Sequence, residues 1–298
     1  MLDRSARTLA VGDLETVFLP EAGMLGASLR HRGKELLGRI EDLDAAAAKG
    51  SAAGIPLLHP WANRLAGLDY EAAGRSVRLD GTSPLLHLDG RGLPIHGVPW
   101  ARLPFAVTAE RSDALSARLE WVGAELLDVF PFPHLLELDV GLDEAGLTID
   151  TTVTPTSTAD VPVSFGFHPY FVIPNLSREK WRLELPAMER LVLDGRGIPT
   201  GEREPFGGFA GVLGERTFDD GFVVTGAPTL ALEGGGRRIE VSFLEGYRFA
   251  QVFAPPEPRV IALEPMTAPT NALRSGDGLT LVPPGERFAA SFRIAVSS

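Results

Sequence analysis

One histidine and one glutamate in this sequence have the residue types and surroundings that proton transfer needs. His168 lies in the aromatic run Ser164–Phe171, and flanking rings can shape a pocket and exclude water. An imidazole gives or takes a proton near neutral pH. Glu264 ends an apolar stretch, so burial would raise the pKa of its carboxyl group toward that of a useful base. Structural explanations stay open, with His168 as a core histidine and Glu264 as the partner of a cation such as Arg64.

A loop at residues 60–67 brings an indole, an amide and a guanidinium close together, in Trp61, Asn63 and Arg64. Hydrogen bonds from the amide and the guanidinium, with stacking on the indole, could hold a sugar. A surface cation next to a core tryptophan would explain the same residues. The loop is therefore a candidate binding segment.

Two further stretches combine polar side chains with a constrained backbone. His96 lies between prolines and directly before Gly97, and a glycine lets a ligand approach the backbone closely. Asp219 and Asp220 form an acidic pair before an apolar strand, although an ordinary turn would explain such a pair equally well. The sequence does not decide which of the two acids would face a ligand.

Several common kinds of site are not indicated by the sequence. The six histidines form no recognised metal-binding pattern, and cysteine is absent, which excludes thiolate metal sites and cysteine nucleophiles. The glycine clusters complete no phosphate-binding loop, and there is no Gly-x-Ser-x-Gly motif of a serine hydrolase. The sequence therefore indicates none of these kinds of site.

The composition is that of an ordinary globular protein, with 44% hydrophobic and 22% charged residues among 298. A net charge of -11 argues against binding nucleic acid or an anionic membrane, because both need clustered cations. A small neutral ligand suits this charge better. The segment Met1–Arg7 lacks the apolar core of a signal peptide, and no apolar run reaches transmembrane length. A cytoplasmic protein is expected.

Frequent glycine and proline, 33 and 24 residues, favour short strands joined by turns. Alternating apolar residues predict a hairpin over residues 136–153 and a second over residues 105–121. The same alternation predicts strands at residues 15–19, 238–243, 248–253 and 288–294. One helix is predicted at residues 41–49, and long loops are predicted at residues 36–61 and 195–214. Without a repeat or a linker, residues 1–298 are expected to form one large antiparallel β-sandwich domain.

Taken in order, these stretches resemble the aldose 1-epimerase (galactose mutarotase) family over nearly the whole chain. The matching elements are Asn63-Arg64 followed by Gly67, His96-Gly97, His168 to Phe171, Asp219 before Asp220-Gly221-Phe222, and Glu264 with Thr267 to Asn271. Each motif is weak alone, but their shared order across an all-β chain is specific. The Pro-Trp-x-Asn-Arg and Glu-Pro-Met-Thr motifs are most similar to a bacterial branch of the family.

The resemblance implies a galactose mutarotase-like β-sandwich that interconverts the α and β anomers of a free hexose without a cofactor. It implies that Glu264 is the general base for the C1 hydroxyl and that His168 is the general acid for the ring oxygen. His96 would also contact the ring oxygen. Three residues would hold the remaining hydroxyls: Asn63, Arg64 and Asp219.

Three alternatives remain open. A related branch acts on hexose 6-phosphates and needs a basic cluster, of which Arg64 is the only evident member in the sequence. A non-catalytic sugar-binding protein could use the same fold, although it would not need both His168 and Glu264. A glycoside hydrolase could use Asp219 and Glu264 as its two carboxylates. The sequence gives neither the preferred sugar nor the oligomeric state.

Overall fold

A computed structural model describes residues 6–298. Most of the amino-terminal segment from which we expected no signal peptide therefore lies outside the described residues. No helix among residues 6–298 is long and apolar enough to span a membrane.

Short strands make up most of the described chain. In chain order, the strands are β1 Arg7–Val11, β2 Leu14–Leu19, β3 Leu25–His31, β4 Lys34–Glu35, β5 Leu57–Leu58, β6 Asp69–Ala72, β7 Arg75–Arg78, β8 Ala106–Glu110, β9 Ala114–Trp121, β10 His134–Asp143, β11 Gly146–Pro155, β12 Val161–Val163, β13 Gly166–Phe167, β14 Tyr170–Phe171, β15 Arg182–Leu185, β16 Met188–Leu193, β17 Pro199–Phe206, β18 Phe209–Val212, β19 Phe218–Val223, β20 Thr229–Gly234, β21 Arg237–Glu245, β22 Phe249–Ala254, β23 Ile261–Met266, β24 Thr280–Val282 and β25 Phe288–Ser297. The α-helices are α1 Leu43–Lys49, α2 Ala124–Val129 and α3 Ala272–Ser275, and 3₁₀ turns lie at Pro20–Ala22, Trp100–Arg102 and Arg178–Lys180.

Two large antiparallel sheets form the predicted β-sandwich. The first has the strand order β18-β15-β20-β21-β25-β11-β10-β9-β8, and the second has the order β17-β16-β19-β22-β23-β13-β5, with β14 also paired to β23. Their facing sides share one apolar core, in which the ring of Phe167 lies 5.0 Å from that of Phe292. Strands β1 to β4 form a separate sheet, and two pairs, β6-β7 and β12-β24, complete the described sheets.

The β10-β11 hairpin was predicted correctly, because one of its faces is buried and the other is wet. Leu136, Leu138 and Val140 are buried, whereas the residues between them are more accessible. The turn is stabilised by the carboxylate of Asp143, which accepts hydrogen bonds from the backbone N–H groups of Ala145 and Gly146 at 2.8 and 3.0 Å. Such alternation fixes both the strand and the register of its pairing.

The central strands β22 and β23 of the second sheet are buried on both faces. Every residue of β23 is buried, and β22 has only Phe253 partly accessible. One face of the sheet packs on the core, and loops cover the other. Their sequences are therefore mostly apolar, as is typical of strands covered on both sides, with Gln251 and Glu264 as the polar exceptions.

Three sequence predictions need correction. The predicted loop at residues 36–61 contains the strand β5, which is too short to show an alternating pattern. The predicted loop at residues 195–214 contains β17 and β18, which were missed because both strands are largely exposed and carry no apolar alternation. The predicted helix begins at Leu43, where the Asp42 side chain caps it by accepting from the N–H of Ala45 at 2.8 Å. The short helices α2 and α3 were not predicted.

Candidate active site

The register of β23 places His168 opposite Glu264. Gly166 on β13 pairs with Met266, and Tyr170 on β14 pairs with Ala262. The short turn between these two pairings carries His168, so its side chain comes to lie over the middle of β23. The Nε2 atom of His168 is 3.1 Å from Oε1 of Glu264. Two residues far apart in sequence are therefore in direct contact.

Burial favours the neutral forms of both side chains in this contact. The side chains of His168 and Glu264 are only 6% and 1% exposed. Burial lowers the pKa of the His168 imidazole well below its ordinary value, and the neighbouring His96 lowers it further. Burial also raises the pKa of the Glu264 carboxyl well above its ordinary value, as does the charge of Asp219. Burial thus opposes the cationic form that His168 would need as a general acid, so one proton is best described as belonging to the pair.

Tyr170 fixes the orientation of the His168 ring. The two rings stack with centroids 4.2 Å apart, and the Tyr170 hydroxyl lies 3.3 Å from Nε2 of His168. Burial raises the pKa of the Tyr170 phenol, so this hydroxyl keeps its proton at neutral pH. Nε2 of His168 therefore faces both a carboxyl and a hydroxyl group.

His96 adds a second imidazole whose protonation state is set by the backbone. The N–H of Asn63 donates to Nδ1 of His96 at 3.2 Å, which leaves the ring proton on Nε2 in the neutral form. Burial lowers the pKa of His96 to about 3, and Arg64 contributes in the same direction. The ring lies edge-on to that of His168 at 5.4 Å. His96 is therefore a neutral hydrogen-bond donor.

Left-handed backbone conformations shape the segments that carry these groups. Asn63 and His96 have φ values of 56° and 65°, and Gly97 also has a φ of 65°. Such angles are uncommon for residues with a side chain and cluster at functional sites. The backbones of Asn63 and His96 are joined further by the hydrogen bond from the N–H of His96 to the carbonyl of Asn63, at 2.9 Å.

Arg64 is held by Asp89 rather than by Glu264. Its Nε lies 2.7 Å from Oδ2 of Asp89, and its Nη1 donates to Oδ1 of Asn63 at 3.3 Å. The side chain is half-buried, so the alternative of a freely solvated surface cation is wrong. The ion pair with Asp89 fixes the Arg64 guanidinium at the cavity. Glu264 is instead in contact with His168.

The structure distinguishes the two adjacent aspartates. Asp219 lines the cavity mouth and accepts a hydrogen bond from Nε2 of Gln251 at 2.8 Å. Asp220 lies instead 3.4 Å from Nη1 of Arg190. Partial burial raises the pKa of Asp219, against the opposing effect of the Arg64 charge. Of the pair, Asp219 is the acid that faces the site.

The six site residues that the family resemblance implies all line one cavity of about 130 Å³. The lining residues are Arg39, Asn63, Arg64, Ile95, His96, His168, Tyr170, Asp219, Gln251, Phe253 and Glu264. Oε2 of Glu264 is buried and has no hydrogen-bond partner within residues 6–298. The cavity therefore contains a carboxyl oxygen that is free to accept a hydrogen bond, next to the proton shared by His168 and Glu264.

Sequence reasoning missed Arg39 and Gln251. Gln251 is the direct cross-strand neighbour of Glu264, a position that only the strand register reveals. Arg39 has a φ of 60°, and its guanidinium lies 5.0 Å from the Tyr170 ring centroid. A single arginine in a loop without a motif gave no signal.

Trp61 does not take part in the site as the sequence suggested. Its side chain is fully buried, at 0% exposure, so it cannot stack on a sugar. It packs in the core, with its ring 6.4 Å from that of Tyr70. Within residues 6–298, no group of three or more His, Cys, Asp or Glu side chains is arranged to hold a metal ion.

Residues 59–66, here called the junction segment, connect the parts of the site. The N–H of Ala62 donates to the carbonyl of Ser164 at 2.7 Å, which ties the segment to the His168 strand. The N–H of Asn271 donates to the carbonyl of Arg64 at 2.9 Å, beyond the end of β23. The N–H of Val98 donates to the carbonyl of His59 at 2.9 Å. One segment thus holds the backbones that carry both histidines and the glutamate.

Comparisons with known proteins agree with the fold and with the family that the sequence resembles. The family model described as aldose 1-epimerase matches residues 14–295. A search of curated protein sequences finds no match.

Several solved structures share the fold. A galactose mutarotase-like protein from Clostridium acetobutylicum has a TM-score of 0.83 at 17% identity, covering 99% of this chain and 96% of its own. A protein from Synechocystis sp. PCC 6803 has a TM-score of 0.79 at 25% identity, covering 99% and 96%. A galactose 1-epimerase from Lactobacillus acidophilus has a TM-score of 0.77 at 14% identity, covering 98% and 94%. The match of the family model over almost the whole chain is decisive, and this chain belongs to the aldose 1-epimerase family.

Proposed function

We propose that this protein is an aldose 1-epimerase that interconverts the α and β anomers of a hexose. The observation that carries the proposal is the buried contact of 3.1 Å between Nε2 of His168 and Oε1 of Glu264. Ring opening needs a base at one sugar oxygen and an acid at a neighbouring one, and each is worth a factor of roughly 10² to 10⁴ in rate. A binding protein needs neither.

The reaction begins from the ion-pair form of the contact. Transfer of the shared proton from Glu264 to His168 gives a carboxylate and an imidazolium. Glu264 then takes the proton of the C1 hydroxyl, the C1–O1 bond becomes a carbonyl, and the bond from C1 to the ring oxygen breaks. His168 delivers its proton to the ring oxygen.

Rotation about C1–C2 then presents the other face of the aldehyde, and the same steps in reverse close the ring. Both protons return to the groups that supplied them, so the protein ends in its starting state. Oε2 of Glu264, which has no partner within the described chain, is the atom open to the C1 hydroxyl.

The remaining cavity residues are suited to holding the sugar in this geometry. His96 is neutral, with its ring proton on Nε2, so it can donate to the ring oxygen without competing as an acid. Asn63 and Arg64 offer amide and guanidinium donors, and Asp219 offers a carboxylate acceptor at the mouth. Fixed donors and acceptors lower the barrier by orientation.

Polarimetry on freshly dissolved α-glucose, α-galactose and several other aldoses tests the proposal. The wild type should speed the optical change for at least one sugar, and His168→Ala and Glu264→Gln should lose most of that acceleration. Asp220→Asn is the matched control, because Asp220 neighbours Asp219 but faces Arg190; it should keep the wild-type rate.

Two results would contradict the proposal in different ways. If the wild type accelerates no aldose while still binding one, the protein is a sugar-binding protein on this fold. If Glu264→Gln retains the full rate, the enzyme stands but the assigned base is wrong. Release of reducing sugar from a glycoside would instead indicate a glycoside hydrolase.

A second candidate, an epimerase for an aldose that carries an anionic group such as a 6-phosphate, is favoured by Arg39. Its guanidinium lines the cavity, and within residues 6–298 it makes no ion pair or hydrogen bond that would neutralise it. Arg64, by contrast, is paired with Asp89. An unpaired guanidinium is well suited to an anion.

Substrate competition separates the two candidates. Arg39→Gln should raise KM for glucose 6-phosphate at least tenfold while leaving KM for glucose nearly unchanged, if an anionic sugar is the substrate. Equal KM values for both sugars in the wild type, with no effect of Arg39→Gln, would leave the free hexose as the substrate.

A further inference from the structure

A second pair of histidines lies in the core, away from the cavity. Nε2 of His59 is 3.0 Å from Nε2 of His134, and the two residues are 3% and 0% exposed. Trp121 stacks on His134 with ring centroids 5.4 Å apart and meets the edge of His59 at 4.9 Å. Apolar surroundings of this kind make a polar pair costly unless its hydrogen bonds are made.

The hydrogen bonds fix which nitrogen of each ring carries the proton. Nδ1 of His134 lies 2.7 Å from the carbonyl oxygen of Phe132, so Nδ1 must donate and Nε2 must be the free acceptor. His59 then donates from its own Nε2. The result is a chain with one direction, from His59 through His134 to the Phe132 carbonyl.

Both rings are neutral. Burial lowers the pKa of His134 to about 4, and burial followed by the proximity of His134 lowers the pKa of His59 well below its ordinary value. The other rings around His59 are those of Trp121, Phe130 and Phe165. Within the described chain, neither imidazole has a carboxylate or a cationic side chain as a hydrogen-bond partner.

The backbone of His59 reaches the site through the next loop. Its carbonyl accepts the N–H of Val98 at 2.9 Å, and it pairs with Gly97 in an isolated bridge. A Cβ at Gly97 would come within 2.3 Å of the His59 carbonyl oxygen. The segments around His59 and Gly97 therefore approach so closely that only a glycine fits at position 97. His96 directly precedes this contact.

The junction segment therefore holds His96 from two sides. His59 fixes the backbone that follows His96, and Asn63 donates to Nδ1 of His96 at 3.2 Å. These two contacts belong to one short stretch of chain, whose start is anchored to β10 by the ring of His59. A displacement of the His59 backbone would therefore disturb both contacts together.

We propose that His59 is a positioning residue for His96, with its ring locked to β10 by His134. The inference rests on the proposed function for its catalytic readout. Nδ1 of His59 is buried and has no partner within residues 6–298, a defect that costs about 1–3 kcal/mol. An apolar side chain at position 59 would avoid that cost. The imidazole of His59 is therefore better explained by its role in orienting the segment that holds His96 than by a contribution to the stability of the fold.

The main test variant is His134→Phe, which keeps an aromatic ring against Trp121 and removes both hydrogen bonds. We expect kcat for mutarotation to fall about 10- to 100-fold, the loss that a misplaced group of roughly 1 Å produces. His134→Gln is the rescue variant, because its amide can donate to Phe132 and accept from His59; it should recover most of the rate. Leu136→Ala, a buried residue two positions along β10, is the matched control for lost stability and should keep kcat.

A second readout does not depend on activity. In protein labelled with ¹⁵N-histidine, the ring of His96 should give the signature of an Nε2–H tautomer in the wild type and in Leu136→Ala. His134→Phe should give a mixture of tautomers. His59→Asn, whose side chain is too short to reach His134, should repeat this behaviour and serves as the second variant.

The outcomes separate the two proposals. A wild-type kcat and an unchanged His96 tautomer in folded His134→Phe or His59→Asn would overturn the positioning role. A wild type without mutarotase activity would overturn the proposed function, and the His96 tautomer would still decide the positioning role.

Discussion

Replacing His96 with glutamine should make the protein less sensitive to acid, by an amount that follows from the burial of the imidazole. The pKa of His96 is lowered from 6.5 to about 3 by burial and by the neighbouring Arg64 and His87. The folded protein therefore keeps this ring neutral at pH values where the unfolded chain protonates it. Acid then favours the unfolded state.

The size of the effect can be calculated from the two pKa values. Because the folded pKa is the lower one, the contribution of His96 to stability is fully present above pH 6.5 and is lost as the pH falls toward about 3. Each pH unit in that window is worth about 1.4 kcal/mol, or about 5 kcal/mol over the whole window. Between about pH 7.5 and about pH 5, the wild type should lose about 2 kcal/mol through His96 alone.

Urea unfolding at these two pH values, followed by circular dichroism, measures the effect. The free energy of unfolding of the wild type relative to that of His96→Gln should fall by about 2 kcal/mol from about pH 7.5 to about pH 5. Val98→Ala is the control, because Val98 is buried in the same segment and does not titrate; its difference from the wild type should be the same at both pH values. A difference for His96→Gln that does not change with pH would show that folding leaves the pKa of His96 at its ordinary value, and a difference that grows toward about pH 5 would show that the ring is charged in the folded protein.

Three further predictions concern activity. The mutarotation rate should be bell-shaped in pH, because the productive pair of His168 and Glu264 holds one proton, gains a second below the lowered pKa of His168 and loses its last above the raised pKa of Glu264. A rate that falls at neither the acidic nor the alkaline end of the pH range in which the protein stays folded would contradict this. Gly97→Ala should lower kcat about tenfold or more, because the added Cβ would lie 2.3 Å from the His59 carbonyl oxygen and the φ of residue 97 is 65°. An unchanged kcat in steady-state polarimetry would refute the close approach of these two segments. Asp219→Asn should raise KM several-fold with a smaller effect on kcat, and an unchanged KM for every sugar would remove Asp219 from the binding site.

Much of the fold follows from local patterns in the sequence. The hairpin of β10 and β11 could be predicted because one face is wet, so that leucines alternate with charged residues. Strands β17 and β18 could not, because they are largely exposed and nothing in their sequence distinguishes a strand from a loop. A strand can be predicted from the sequence when only one of its faces is buried, because its apolar and polar residues then alternate.

Six of the residues that line the cavity could be named from the sequence, but Arg39, Gln251 and the geometry of the cavity could not. The choice between Asp219 and Asp220 depends on which face of β19 each residue occupies, and that is decided by the pairing with β22. The run around Glu264 is buried on both faces, so no alternation shows which way its carboxyl points. Arg39 enters the cavity from a loop, and only long-range packing brings it there.

The backbone pairing around His168 also bears on how such proteins can diverge. Pairs between Gly166 and Met266 and between Tyr170 and Ala262 lie on either side of His168, so main-chain hydrogen bonds set the spacing between His168 and Glu264, the proposed acid and base. Arg39, Arg64 and Asp219 come from other parts of the chain and can be exchanged without disturbing that spacing. A single-residue insertion between 166 and 171, by contrast, would shift the register and turn the imidazole away. In the proposed mechanism, preference for one sugar over another can therefore change by substitution, whereas the spacing of His168 and Glu264 tolerates no change in length between residues 166 and 171.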